Sequence, residues 1–186
     1  MPFLLDKFHI IQNTETVFKE TTAYVKNVEN INFFKHVEDK WSIAENIQHL
    51  TISTKMTSLA LKVPKFVLRL FYGKPNRPSR SYEELVTKYK NKLEAGGVAS
   101  GRYIPKKQDA GTKEEIIEKW DAATQNYLSR IKYYWDEDKL DTYIVAHPML
   151  GKITIRELAY FTIYHTQHHL KTIRQRNREA GEIAAS

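Results

Sequence analysis

The chain has 186 residues, a net charge of +7, a calculated pI near 9.4 and no cysteine. That length supports one domain with a proper core, and 41% hydrophobic residues argue against wholesale disorder. The missing cysteines exclude disulfides, thiolate metal ligands and a cysteine nucleophile, so any metal must be held by imidazole or carboxylate.

In chain order, the first predicted helix runs from about Phe3 to Val28. No charged start, apolar run and small-residue cleavage site combine there, so no signal peptide is read and a cytoplasmic protein is expected. The second helix starts at Ser42 and continues to about Tyr72. Its opening "SIAE" is a capping box, Ser or Thr followed three residues on by Glu. Pro64 should kink or divide this helix, because it removes a backbone donor. The most apolar segment, Leu59–Gly73, is interrupted by Lys62, Lys65 and Arg69 and falls short of the roughly 20 residues a membrane span needs.

The turn-rich "GKPNRPSR" leads to a short helix over Tyr82–Glu94, capped by "SYEE". The long connection Ala95–Gly111 follows, then a third long helix, Lys113–Tyr134, capped by "TKEE". After the turn "HPMLG" (His147–Gly151), "TIRE" (Thr154–Glu157) opens the fourth long helix, Ile155–Arg178. No strand alternation with hairpin turns is evident. The expected fold is all-α: a four-helix bundle with long connections and a short extra helix, in a single domain over 1–186.

The last helix carries the chemistry. Its 3,4-spaced residues are Ile155, Leu158, Thr162, His165, His169 and Thr172, an apolar stripe that ends in two histidines one turn apart. His168 lies on the flank. The second helix shows the same device in Glu45, His49, Ile52, Met56, Leu59 and Val63. Two helices thus bring metal-competent groups to their inner faces. A buried imidazole needs a partner, and a divalent transition ion would serve His49, His165 and His169 together. The same pattern fits core-edge histidines hydrogen-bonded to protein groups. Glu45 could orient His49 or accept a proton as a catalytic residue; it is also the third residue of a capping box. His9, His36 and His147 read as surface or loop histidines. "HTQHH" is not H-E-x-x-H, so it does not mark a zincin protease.

"WSIAENIQHL" (Trp41–Leu50) and "HPMLGKITIRELAYFTIYHTQHHLKTI" (His147–Ile173), in that order, resemble the DinB/YfiT-like superfamily. The resemblance covers most of the chain. It implies a four-helix bundle with one metal held by three histidines, and these fall on His49, His165 and His169; His168 is then not a primary ligand. It implies a small-molecule substrate and a homodimer; neutral imidazole suits zinc, nickel, copper or iron, and zinc or nickel is expected. Members similar to this chain include S-transferases and isomerases that use low-molecular-weight thiols such as bacillithiol, mycothiol or glutathione. Others are regarded as metal-dependent hydrolases.

Three ligands leave an open position, as in catalytic rather than structural sites. The expected function is therefore metal-dependent activation of a thiol or water nucleophile, with the basic surface gathering an anionic thiol or substrate. The alternatives are a non-catalytic metal-binding bundle, or a basic protein bound to nucleic acid or a membrane surface. "KTIRQRNR" (Lys171–Arg178) is the local basic concentration that such a role would use, and the helix dipole accounts for it equally well.

Overall fold

The structure is a computed structural model and describes residues 4–107 and 112–185, without the side chains of 183–185. The fold is mostly helical. Helix α1 (Lys7–Lys26) begins where Asp6 accepts a hydrogen bond from the His9 amide at 2.8 Å. The expected start at Phe3 lies outside the described residues. A short α2 (Asn30–Phe34) follows, which the sequence did not announce.

The second expected helix is divided at Pro64, into α3 (Ile43–Lys62) and α4 (Lys65–Tyr72). Helices α5 (Tyr82–Glu94), α6 (Lys113–Tyr134) and α7 (Ile155–Ala185) complete the set among the described residues. The end of α7 passes the expected Arg178. Arg176 and Gln175 both bond Glu179 one turn on, and Ala180 is buried, so the last turns are held. Short 3-10 turns sit at Gly101–Tyr103 and Glu137–Lys139. Residues 108–111, the end of the long connection, lie outside the described residues.

The capping boxes at Ser42/Glu45 and Ser81/Glu84 form in full. So does the one at Thr154: its amide donates to Glu157 Oε2 at 3.0 Å, and the Glu157 amide donates back to Thr154 Oγ1 at 3.2 Å. Thr112 makes no side-chain cap bond. The first turn of α6 is instead tied down by Lys113, whose ammonium donates to the Lys26 and Val28 carbonyls.

A strictly helical chain is not what is found. Strands β1 (Ile144–His147) and β2 (Gly151–Thr154) form an antiparallel hairpin, with Val145 opposite Ile153 and His147 opposite Gly151. Each strand has only four residues, and its buried positions are adjacent rather than alternating, so there is no period-two pattern to read. Gly151, at φ +74°, makes the return that a side chain would strain.

Helix α3 packs along α6 and α7, and α1 also crosses both, so apolar side chains from four helices meet in one interior. Trp120, Tyr127, Trp135 and Tyr160 are its largest buried members. Because α3 is covered from two sides, its buried set is wider than one stripe. Ile43, Ala44, Ile47, Leu50 and Leu61 are inside, while Leu59, expected on the inner stripe, is 55% exposed. The other apolar members of that expected stripe, Ile52, Met56 and Val63, are only half-buried: the core face of α3 runs through Ile43, Ile47, Leu50, Thr54 and Leu61, and the stripe read from the sequence lies on another face.

Candidate metal centre

The first turns of α3 and the middle of α7 lie side by side, and their capping residues fix where each helix starts. His49 then falls opposite His165 and His169. One ring nitrogen from each of the three lies within 4.8 Å of the others, and all three residues are buried. His49 Nε2 and His165 Nε2 are 3.1 Å apart. The ring centroids of the three are separated by 4.7–5.0 Å. The α7 stripe holds as read, from Ile155 and Leu158 through Thr162 to the two histidines.

The outer edge of two of these rings is fixed by an acceptor. His49 Nδ1 is 2.7 Å from the Tyr103 carbonyl oxygen, so that nitrogen must carry the proton. His169 Nδ1 is 2.8 Å from Asn46 Oδ1. The Asn46 amide cannot be turned round without loss, because its nitrogen donates to the Ser42 carbonyl at 2.8 Å and to the Trp41 carbonyl at 3.3 Å. His169 therefore also carries its proton on Nδ1. Both residues present an Nε2 lone pair toward the third imidazole. Burial holds all three histidines below the ordinary imidazole range, those of α7 well below it, so they are neutral at neutral pH.

This donor set fits a divalent transition ion. Nitrogen ligands about 2.1 Å from a tetrahedral zinc stand about 3.4 Å from one another, and the observed separations bracket that value. Two lone pairs aimed at one point in a buried site are unfavourable unless a cation or a proton lies between them. No carboxylate joins the cluster among the described residues.

Glu45 is not brought to this cluster. Its carboxylate accepts from the Ser42 amide at 2.8 Å and lies 3.5 Å from His36 Nδ1. It is the capping residue of α3, and orientation of His49 is done by the Tyr103 carbonyl. His168 lies on the flank, half-buried, with its ring 5.3 Å from that of His169. Asn46 and Tyr103 were missed by sequence reasoning. Asn46 sits three residues before His49 on one helix face, which is a usable signal. A backbone carbonyl from a distant loop leaves none.

The three histidines form one wall of a cavity of about 490 Å³. Trp41 covers them, its ring 5.1 Å from His49 and stacked 6.5 Å from His169. The opposite walls come from α5, the loop before Tyr103 and the β1–β2 turn. No helix among the described residues is long and apolar enough to cross a membrane.

No curated protein sequence matches the chain. Residues 14–173, which include α3, the hairpin and the histidine-bearing part of α7, match the DinB superfamily. With three neutral imidazoles gathered on the two helices that carry its motifs, the chain belongs to the DinB superfamily.

Proposed function

We propose that this chain is a metal-dependent enzyme of that superfamily, an S-transferase or hydrolase, with a divalent ion held by His49, His165 and His169. The observation that carries this reading is the fixed tautomer of His49 and His169, whose Nε2 lone pairs are directed inward by Tyr103 and Asn46. Neutral imidazole suits zinc and nickel, as it does copper and iron. When bound, the ion supplies Lewis-acid chemistry that lowers the pKa of a water or a low-molecular-weight thiol. The protein's part is to keep the imidazoles unprotonated, to hold their orientation through Asn46 and Tyr103, and to limit water through the cavity walls. Three protein ligands with a cavity on the fourth side favour a catalytic over a structural centre. The architecture we assign is a single domain in which α1, α3, α6 and α7 form the four-helix bundle.

The test is elemental analysis of the purified chain, followed by turnover of a thiol with an electrophile, with and without added zinc. We expect close to one ion per chain and metal-dependent turnover. One ion per chain with no turnover across thiols and esters would identify a non-catalytic metal-binding bundle. No uptake of zinc after dialysis would end the metal reading.

A further inference from the structure

His147, the last residue of β1, lines the same cavity, and nothing in the proposed metal centre uses it. The amides of Met149 and Leu150 both donate to its Nδ1, each at 3.2 Å. Nδ1 is therefore an acceptor, and the ring proton is on Nε2, the opposite edge. That N–H has no acceptor among the described residues. Phe161 separates His147 from the metal centre: its ring centroid is 4.2 Å from that of His147 and 4.8 Å, stacked, from that of His165.

The surroundings define what such a donor would meet. Met56, Leu93, Val145, Pro148, Met149 and Leu158 contribute apolar wall. In a chain of net charge +7, none of the described lining residues is Asp, Glu, Lys or Arg. A cavity of this size whose predominantly apolar walls carry a small number of polar groups is the usual form of a small-molecule site. Burial, with a smaller contribution from the charge of Lys88, pushes His147 down to about 4, so it stays a neutral donor rather than a cation. Lys88 itself is engaged with the Leu150 carbonyl at 2.8 Å.

We propose that His147 is a substrate-binding residue, whose Nε2–H donates to the carbonyl-type oxygen of an uncharged, largely apolar substrate lying in this cavity beside the three histidines. Such a substrate differs from the anion that net charge alone suggests: among the described residues no cationic side chain reaches the apolar walls around His147, so the bound ion at the three histidines would be the one positive charge in the cavity, and the part of the substrate that meets His147 is uncharged. The inference rests on reading the cavity as the substrate site of the metal centre.

The experiment uses three probes on the zinc-loaded full chain: prodan, an uncharged naphthyl ketone; its carbonyl-free propyl analogue; and the corresponding naphthoate anion. Wild type should bind the ketone about five- to tenfold tighter than the analogue, and tighter than the naphthoate. His147→Phe, which keeps an aromatic ring, should bring the ketone-to-analogue ratio close to one. On wild-type protein, imidazole-nitrogen NMR should show the His147 Nε2–H signal shift with the ketone and stay unmoved with the analogue. That second readout does not depend on the variant folding. A ratio unchanged in His147→Phe, an unmoved Nε2–H signal, or preference for the naphthoate would each overturn the proposal. Zinc content is measured on the same samples. Ketone preference in a chain that takes up no zinc would overturn the metal reading alone. A zinc-loaded chain without the preference would overturn this one alone.

Discussion

His168 and His169 are neighbours in sequence and differ in what their rings can reach. His169 is buried against Asn46 and shares its α7 face with His165; His168 is half-buried on the flank. The expected outcome is that His49→Ala, His165→Ala and His169→Ala each strip most of the zinc, while His168→Ala keeps it. Metal content after gel filtration separates them, and retention in His169→Ala with loss in His168→Ala would reverse the assignment. Asn46 is a finer probe. Removing the acceptor of a ligating imidazole costs about 10- to 100-fold in metal affinity. Asn46→Ala should show that loss in a zinc competition titration with helical content unchanged, and unaltered affinity would mean that His169 is oriented by other groups.

At the scale of elements, the start of α7 is a densely bonded joint. Glu157 is fully buried, and its carboxylate accepts two bonds from Arg77 at 2.7 and 2.8 Å. It also accepts from the Arg80 amide and from the Thr154 amide. Next to it, Arg156 pairs with Asp141 and Glu137 and donates to the Leu5 carbonyl. These bonds tie the turn-rich 73–80 loop and the N-terminus to the helix that carries His165 and His169. Removing one partner of a buried pair strands the others. Because Arg77 and Arg80 keep about a quarter to a third of their side chains in solvent, the expected loss for Glu157→Gln is about 2–3 kcal/mol. Urea unfolding would measure it, and a loss under about 0.5 kcal/mol would place Glu157 with ordinary surface pairs. The capping box "TIRE" was legible in the sequence; its second role as an acceptor for a loop some eighty residues away was not.

For the whole molecule, zinc that binds only the folded chain stabilises it by mass action, by about 2.7 kcal/mol at a hundredfold excess over Kd. Chelation should lower the Tm by about 5–10 °C for a chain of this size, with helical circular dichroism retained at room temperature. Collapse of the helical signal on chelation would mean that the apolar core does not stand alone. The chelated protein should also be acid-sensitive in a defined way. Burial depresses His49, His147, His165 and His169 below the ordinary 6.5, His147 to about 4. As pH falls through 6.5 the unfolded chain gains protons that the folded chain refuses, so stability declines from there downward. Asp141 and Glu157, held below their ordinary carboxyl range despite burial by Arg156 and Arg77, extend the decline below about 4.5. A urea midpoint that is flat between pH 8 and pH 5 would contradict the buried, neutral histidines.

What the sequence determined by itself was local. Helix starts followed from Ser42, Ser81 and Thr154 with their glutamates, because a capping box closes within four residues. The division at Pro64 followed from one missing N–H. The inward phase of His165 and His169 followed from their spacing to Ile155 and Leu158. His49 is buried as expected, although the apolar residues it was phased with, Ile52, Met56, Leu59 and Val63, are half-buried or exposed, and the match to the DinB superfamily extends over residues 14–173. Tertiary structure alone decided the rest. It kept Glu45 away from the three histidines and gave the orientation of His49 to a carbonyl from residue 103. It built a hairpin from strands too short to alternate, and with it turned His147 from a loop residue into a cavity wall. Each of these depends on contacts between segments far apart in the chain, and spacing within one segment carries no trace of a partner in another.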